Sequence, residues 1–354
     1  MRCASPKSWT IMAVATLVAA SPQARSTEPL YVLETVGKLP STDTDWDYIK
    51  LEPDGSRLFM ARRNDGLTVY DVDRQTVVGQ VENSRGANGP LLLPAFNRAY
   101  VAMTDGSLLS FELDSLEVLD RMRLAADGGL NAVVFDPATA RIHAIVGSRP
   151  TESTWFTLDA ATGQSIGVRV FPFHKMDDPA PDGKGHLFAP ARYDNLLIKL
   201  DSQTLDELDR WMLDCEQVVA VEYQAHTDRL MVGCRGDEPV FLALDARTGR
   251  QLTRIPIGRG IDGMAIDEVR HRILTTNGAD ASLTVIGQDG PDAYRLLGNV
   301  QTRPQARVMQ LDERTGRVFT VTADATFPPP GVDGKASPPM FHRDSFVVLT
   351  YRPE

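Results

Sequence analysis

Six polar residues recur at one equivalent position of a pattern that repeats along the chain. They are Asp47, Asn88, Asn131, Asp177, Asp262 and Arg307, and the remaining copy has Val219 at this position. Carboxylate and amide oxygens are the ligands that Ca²⁺ and Mg²⁺ prefer, so Asp47, Asp177 and Asp262 are candidate metal ligands. The arginine can instead pair with a carboxylate, or bind the carboxylate or phosphate of an organic ligand. The set predicts a site for a divalent cation or for a small anionic ligand.

Three further candidates lie in the segments that lead into the same positions. Trp46 offers an aromatic face to a ligand, and His174 and Glu216 are candidate general acids or bases. Core packing or a loop contact is the alternative explanation for Trp46 and His174. The chain contains no Gly-x-Ser-x-Gly, no phosphate-cradling glycine loop, no His-Glu-x-x-His and no haem-attachment motif, so its motifs single out no nucleophile.

The pattern that carries these residues recurs at a spacing of roughly 40 to 47 residues. Each copy contains apolar runs with a period of two, and a basic residue closes its first turn. The seven closing residues are Arg57, Arg98, Arg141, His186, Arg229, Arg272 and Arg317. Such a spacing, with one copy for each closing residue, predicts an all-β fold, a seven-bladed β-propeller.

The first strand of each propeller blade lines the central channel, so equivalent positions in the first strands form a ring. Counting ten residues back from the closing residue gives six ring positions, and the shorter turn of the fourth copy gives Asp177. Polar groups buried there without partners would cost about 1–3 kcal/mol each, so they must meet water, one another or a ligand. A solvated channel mouth held by hydrogen bonds is the alternative to a ligand site.

The last copy lacks an outermost strand, whereas the start of the chain has a spare one. Residues 31–39 alternate apolar and polar side chains and precede the first blade. We predict that they pair with the C-terminal strand and close the ring, which removes exposed strand edges between the first and last blades. Residues 30–354 are thus predicted to form one propeller domain.

Residues 1–24 have the features of a secretory signal peptide. Arg2 and Lys7 precede an apolar stretch over residues 9–20, and small residues follow it. The stretch is too short to span a membrane, and the absence of a second one predicts no integral membrane segment in the mature chain. We expect a periplasmic or secreted protein, cleaved near Ala20 or Ala24.

Two cysteines, Cys215 and Cys234, flank one predicted hairpin of the fifth blade. Both lie at the same end of an antiparallel hairpin, and an oxidising compartment favours a disulfide between them. Two independent buried thiols are the alternative. A zinc site is disfavoured because no histidine lies nearby at metal-ligand spacing.

The formal net charge of −10 argues against a nucleic-acid partner, whose phosphates require neutralisation. Several arginines nevertheless fall in loops predicted to open on the channel mouth, and they favour an anionic group on the partner. These arginines are Arg62, Arg63, Arg149, Arg192 and Arg235. The longest such loop, residues 326–342, is rich in proline and is predicted to cover part of the mouth; a surface insertion is the alternative.

Several segments resemble the YncE-like, YVTN-type family of periplasmic seven-bladed propellers. They include Asp45-Trp46-Asp47-Tyr48, Cys215-Glu216, Val232-Gly233-Cys234-Arg235 and Asp245-Ala246-Arg247-Thr248-Gly249. The resemblance covers nearly all of the mature chain and implies the same fold and cysteine pair. The YVTN tetrad itself is not intact, its nearest counterparts being residues 145–148 and 274–277. The family implies a binding scaffold without an assigned reaction.

Two functions follow from these features. The first is an exported propeller that binds a small, anionic ligand or a protein partner at the channel mouth. The alternative is a metal-assisted, lactonase-like hydrolase or lyase, with the cation held by Asp47, Asp177 and Asp262 and with His174 or Glu216 as general acid or base.

Overall fold

The structure is a computed structural model that describes Met1 and residues 30–147, 149, 151–331 and 337–354. Apart from Met1, the signal peptide predicted for residues 1–24 lies outside the described residues. No helix in the described ranges is long and apolar enough to cross a membrane.

The described residues form seven four-stranded antiparallel sheets, and each sheet is one blade. The first strand, β1 (Tyr31–Lys38), precedes blade 1. Blade 1 contains β2 (Trp46–Leu51), β3 (Arg57–Arg62), β4 (Gly66–Asp71) and β5 (Thr76–Gln80). Blade 2 contains β6 (Ala87–Leu93), β7 (Arg98–Met103), β8 (Ser107–Glu112) and β9 (Val118–Arg123). Blade 3 contains β10 (Leu130–Asp136), β11 (Arg141–Val146), β12 (Ser153–Asp159) and β13 (Ser165–Phe171).

The second half of the ring repeats this order. Blade 4 contains β14 (Ala180–Pro181), β15 (His186–Ala191), β16 (Leu196–Asp201) and β17 (Glu207–Met212). Blade 5 contains β18 (Val218–Gln224), β19 (Arg229–Cys234), β20 (Val240–Asp245) and β21 (Gln251–Pro256). Blade 6 contains β22 (Ile261–Asp267), β23 (Arg272–Asn277), β24 (Ser282–Gly290) and β25 (Ala293–Gln301). Blade 7 contains β26 (Met309–Asp312), β27 (Arg317–Thr322), β30 (Val347–Pro353) and β1.

Four short elements lie outside the blades. A small hairpin of β28 (Ala325–Thr326) and β29 (Met340–Phe341) interrupts blade 7, and 3₁₀ helices span Pro94–Phe96 and Arg192–Asp194. The seven-bladed propeller predicted from the repeat is therefore confirmed.

Turn chemistry explains why the closing residues recur. In six blades the residue before the closing residue has a positive φ, as in Asn97 before Arg98 and Ala140 before Arg141. This left-handed residue lets the chain reverse within a short connection. Aspartates stabilise the turns between third and fourth strands by a different means. For example, the Asp159 carboxylate accepts hydrogen bonds from the backbone N–H groups of Ala161 and Thr162.

The hydrophobic core consists of apolar clusters between neighbouring blades. Phe59 of blade 1 and Phe111 of blade 2 share one cluster, and their ring centroids are 6.2 Å apart. Phe319 and Phe346 of blade 7 share another with Trp46 of blade 1. Each blade is therefore stabilised mainly by the faces of its two neighbours.

The N-terminal strand closes the ring as predicted. Strand β1 pairs antiparallel with β30, with Tyr31 opposite Pro353 and Lys38 opposite Val347. It supplies the outermost strand of blade 7, whose other three strands come from the C-terminal part of the chain. The first and last blades are thus held in one sheet, which leaves no open seam between them.

The predicted disulfide is confirmed. Cys215 and Cys234 are bonded, with their Cα atoms 6.1 Å apart. Cys234 ends β19, and Cys215 lies on the segment that leads into β18. The bond therefore ties the entry of blade 5 to the end of its second strand.

Closure of the ring makes β1 sensitive to substitution at its buried positions only. Tyr31 is 2% exposed and packs in the core between blades 6 and 7, whereas Leu33 on the same strand is 48% exposed. Tyr31→Ala should lower the free energy of unfolding by about 3–5 kcal/mol, and the matched control Leu33→Ala should change it by about 0.5 kcal/mol or less. Urea-induced unfolding measures both; equal effects would contradict the closure by packing.

Loss of the disulfide should destabilise the propeller. The Cys215→Ser/Cys234→Ser double variant should lose about 2–4 kcal/mol because the unfolded chain gains conformational freedom. Thermal unfolding with and without a thiol reductant measures the effect. The wild type should melt at a lower temperature when reduced, and the double variant should not respond to the reductant; a response of equal size in both would count against the bond as the cause.

Candidate functional site

Five of the seven predicted ring positions coincide with breaks in the register of the first strands. Each break gives the first strand one residue more than the second strand, as a β-bulge does. The breaks lie at Asp47, Asn88, Asn131, Val219 and Asp262. In blade 4, Asp177 lies between the isolated Met176–Ala191 bridge and β14. The bulge bends the strand where it enters the channel and frees one side chain for contacts outside its own sheet.

Arg63 joins the ring positions of blades 1 and 2. Its Nη2 atom lies 2.8 Å from Oδ2 of Asp47 and 2.9 Å from Oδ1 of Asn88, and its Nη1 atom lies 3.2 Å from Oδ2 of Asp45. The amide of Asn88 donates in turn to the backbone carbonyl of Asn131, at 3.0 Å. One guanidinium therefore connects the channel entrances of two blades and, through Asn88, reaches the third.

The chain of hydrogen bonds continues into blade 4. Nδ2 of Asn131 lies 3.2 Å from Oδ1 of Asp177, and Nε of Arg192 lies 2.6 Å from the other carboxylate oxygen of Asp177. Asp177 and Arg192 are both buried. Burial opposes the charge of Arg192, but the carboxylates of Asp177 and Asp262 raise its pKa.

Arg307 and Arg235 complete the other side of the ring. Nε of Arg307 lies 3.4 Å from Oδ2 of Asp262, and its Nη2 lies 3.1 Å from Oδ1 of Asp45. Arg235 pairs with Oδ1 of Asp262 and donates from Nε to the carbonyl of Ile261 at 2.8 Å. Burial opposes the charge of Arg307, whereas the carboxylates around it, Asp262 first, raise its pKa.

We call this set of paired side chains the mouth network. Its members are Asp45, Asp47, Arg63, Asn88, Asn131, Asp177, Arg192, Arg235, Asp262 and Arg307. The structure thus brings together all six polar ring residues predicted from the sequence. Val219, the apolar ring position of blade 5, is buried, and Arg235, which follows β19, is the member of the network from that blade.

Every predicted metal ligand has an arginine partner. Asp47 pairs with Arg63, Asp177 with Arg192, and Asp262 with Arg235 as well as with the ring arginine. Within the described part of the chain, no group of three His, Cys, Asp or Glu side chains is placed to hold a metal ion. A Ca²⁺ or Mg²⁺ ion at the ring, and the hydrolase or lyase that needs it, stay predictions.

The arginine loops have two kinds of partner. Arg63, Arg192 and Arg235 belong to the mouth network, whereas Arg62 pairs with Asp65 in its own turn. Arg149 likewise contacts Glu152, at 2.8 Å between Nη1 and Oε1. The sequence predicts that these loops open on the mouth, but it does not show which carboxylate each guanidinium reaches.

Trp46 lies in the core and not on the surface of the mouth. It is fully buried between Phe341 and Phe346, with ring centroids 4.6 and 5.4 Å away, and the guanidinium of Arg307 lies 5.0 Å from its ring centroid. Its ring therefore presents no open face to a ligand. This placement agrees with the core-packing alternative and differs from the predicted ligand contact.

His174 and Glu216 are both exposed. The ring of His174 packs against Tyr193, at 4.7 Å between centroids. Glu216 lies beside the disulfide, and its backbone carbonyl accepts a hydrogen bond from Gly236 at 3.0 Å. A catalytic role for either residue stays a prediction.

A cleft of ≈ 580 Å³ opens beside the mouth network. We call it the mouth cleft, and it is lined by Arg235, Asp262 and Arg307, by Asp43 and Asp45, and by residues 338–341. The latter belong to the proline-rich loop, which Phe341 fixes to Trp46. The part of the predicted covering loop that the structure describes thus borders the mouth.

A second cavity of ≈ 380 Å³ lies in the channel and is lined by residues of all seven first strands. We call it the channel cavity. Its ionisable side chains are Tyr48, Lys50, Asp178, Glu222, Tyr223 and Asp262. Sequence reasoning missed this layer. The signal that would have found it is the position three residues beyond the ring residue, which is Lys50 in blade 1, Glu222 in blade 5 and Gln310 in blade 7.

Burial among the seven blades raises the pKa of three carboxyl groups near the channel. Burial, and then the charge of Asp177, raise the pKa of Asp178 to about 8. Burial raises the pKa of Glu222 to about 7, although its side chain faces the open channel. Burial and then Asp262 raise the pKa of Asp47 to about 6.

Comparison with known proteins supports the fold. No protein-family model and no curated protein matches the chain, so the resemblance to YncE-like propellers is not confirmed. A chain of Kuenenia stuttgartiensis hydrazine synthase is similar, with a TM-score of 0.67 and 13% identity over 84% of this chain and 95% of that one. A chain of the mitotic checkpoint complex has a TM-score of 0.71 and 12% identity over 96% and 98%. The WD40 repeats of RRP9 have a TM-score of 0.71 and 9% identity over 91% and 100%. These likenesses show the fold alone.

The raised pKa of Asp178 predicts a pH-dependent stability effect. A carboxyl whose pKa rises from 3.8 to about 8 on folding binds its proton more tightly in the folded state, so its contribution to stability falls as pH rises between these values. Asp178→Asn removes the charge and keeps the shape. The melting temperature of Asp178→Asn relative to wild type should therefore increase from pH 5 to pH 9.

Asp214→Asn is the matched control because the Asp214 side chain is 83% exposed. It should follow the wild type throughout the pH series. A constant difference between Asp178→Asn and wild type across the series would contradict the raised pKa.

Proposed function

We propose that this protein is an exported β-propeller scaffold that binds a small ligand with an anionic group in the mouth cleft. The observation that carries the proposal is the position of Arg235 and Arg307 in the lining of a cleft of ≈ 580 Å³. A cleft of this size lies within the range of small-molecule sites, about 300–1,000 Å³.

The guanidinium donors of Arg235 and Arg307 support an anionic group, although Asp43, Asp45 and Asp262 also line the cleft. Arg235 and Arg307 both pair with Asp262, so two guanidiniums share one carboxylate at this point of the ring. Arg307 also contacts Asp45, which Arg63 contacts from the other side. Planar guanidiniums held in this way are preorganised, and a bound carboxylate or phosphate can share their remaining donors at little entropic cost.

The apolar part of the lining, residues 338–341, supports an organic body attached to that group. Pro338 and Pro339 are followed by Met340, which is 59% exposed, and by Phe341, which is anchored in the core. Apolar side chains with a few fixed polar groups are typical of sites that bind small organic molecules. The two parts of the lining together fit a ligand with one charged end and one apolar end.

Export is the finer part of the proposal. The disulfide is of the kind that persists in oxidising compartments, and residues 1–24 have the pattern of a secretory signal. A protein partner that presents a carboxylate would use the same arginines. The experiment below distinguishes a small ligand from a protein partner, because a site for a small ligand should bind a free anion in the absence of any other protein.

The binding test uses inorganic phosphate and citrate as probes. Each should raise the melting temperature of the wild type, because a ligand that binds the folded state stabilises it by mass action. Arg235→Gln should weaken binding of the better probe by about tenfold or more, since a charge-assisted hydrogen bond is lost. Isothermal titration calorimetry measures the Kd.

Arg121→Gln is the matched control, because Arg121 is similarly exposed but lies on the outer strand β9 and pairs with Asp105. It should bind like the wild type. If neither probe binds, or if Arg235→Gln binds as well as the control does, the small-anion proposal is wrong and a protein partner becomes the better hypothesis. Addition of Ca²⁺ or Mg²⁺ to the same melting assay tests the predicted cation, which requires a rise in melting temperature.

A further inference from the structure

The channel cavity carries opposite charges on opposite walls. Lys50 comes from blade 1, whereas Asp178 comes from blade 4 and Glu222 from blade 5. In a closed ring of seven blades, blades 4 and 5 face blade 1 across the axis. One basic wall therefore faces one acidic wall over a water-accessible space of ≈ 380 Å³.

These charges are not neutralised as those of the mouth network are. Among the described residues, Lys50 forms no salt bridge with Asp178 or Glu222, although it lowers the pKa of both. One carboxylate oxygen of Asp178, Oδ1, is buried without a hydrogen-bond partner. A buried, unpaired carboxylate oxygen costs free energy, and a ligand that donates to it recovers that cost.

We infer that the channel cavity binds a small zwitterion, a molecule with an ammonium group at one end and a carboxylate at the other. The ammonium lies against Asp178 and Glu222, and the carboxylate lies against Lys50. The walls between them are apolar at Leu91 and Met264, which accept a short aliphatic body. This site shares Asp262 with the mouth cleft, but Lys50, Asp178 and Glu222 do not line that cleft, so the inference does not depend on the proposed function of the cleft.

The arrangement selects against ligands that carry only one of the two charges. A simple anion would meet Lys50 but also two carboxylates, and a simple cation would leave Lys50 without a partner. A divalent metal ion would be repelled by the ammonium of the same lysine. Discrimination of this kind comes from the penalty for the wrong ligand as much as from contacts with the right one.

The pH should modulate this binding through Glu222 and Asp178. The other titratable side chains that line the cavity are Lys50 and Tyr48 of β2, Tyr223 of β18 and Asp262 of β22. An ammonium pairs with ionised carboxylates, and the pKa values of Glu222 and Asp178 are about 7 and about 8, so affinity should rise from pH 6 to pH 8.5.

The test screens the twenty protein amino acids by thermal unfolding, followed by calorimetry of the best binder at pH 8.5. For that binder, the analogue without the amino group and the amine without the carboxylate are measured in parallel. At least one amino acid should stabilise the wild type, and each single-charge analogue should bind at least about tenfold more weakly, as expected for one lost charge-assisted contact. Lys50→Met and Glu222→Gln should show the same loss.

Two further variants keep the result interpretable. Glu117→Gln, in the exposed turn before β9, should bind like the wild type and controls for the change of charge. Arg121→Gln, on the outer strand β9, should also retain amino-acid binding and controls for the loss of a positive charge in Lys50→Met. The inference is overturned if no amino acid shifts the melting temperature, or if the shift survives in both Lys50→Met and Glu222→Gln.

Discussion

Mutual coverage of the blades is the constraint on which this structure depends. A four-stranded blade has two apolar faces that it cannot cover by itself, so stability requires a neighbour on both sides and hence a closed ring. The clusters that join Phe59 to Phe111, and Trp46 to Phe346, meet this requirement at two of the seams. Because packing occupies the faces of the blades, chemistry is left to the inner edges of the sheets. The bulged ring positions supply it.

The mouth network follows from the same constraint. Six polar positions and one valine converge on one axis, and water has limited access to them, so the charged groups there need partners nearby. Arginine suits this task because its planar group reaches two or three acceptors at once, as Arg63 and Arg307 do. Removal of one member of a buried pair such as Asp177 and Arg192 would leave a charge that costs about 3–5 kcal/mol. The network therefore stabilises the structure of the mouth and also provides the groups that could bind a ligand.

The sequence was sufficient for the features that repeat. The closing residues, the spare strand before blade 1 and the ring positions all come from a comparison of one copy with the next. The features that remained hidden depend on contacts between distant segments. Burial of Trp46 is caused by Phe341, which an insertion in blade 7 brings back over blade 1. The channel layer of Lys50 and Glu222 was missed because the bulge interrupts the simple alternation that would have shown which side chains face the axis.

The pairing of β1 with β30 has a consequence for how the molecule is made. Tyr31 pairs with Pro353, so the outermost strand of blade 7 comes from a segment far away along the chain from the other three. Six blades can assemble from consecutive segments, but the seventh needs both β1 and β30. Until these two strands pair, the edge of β30 is exposed, and a chaperone or a second polypeptide can engage the protein there.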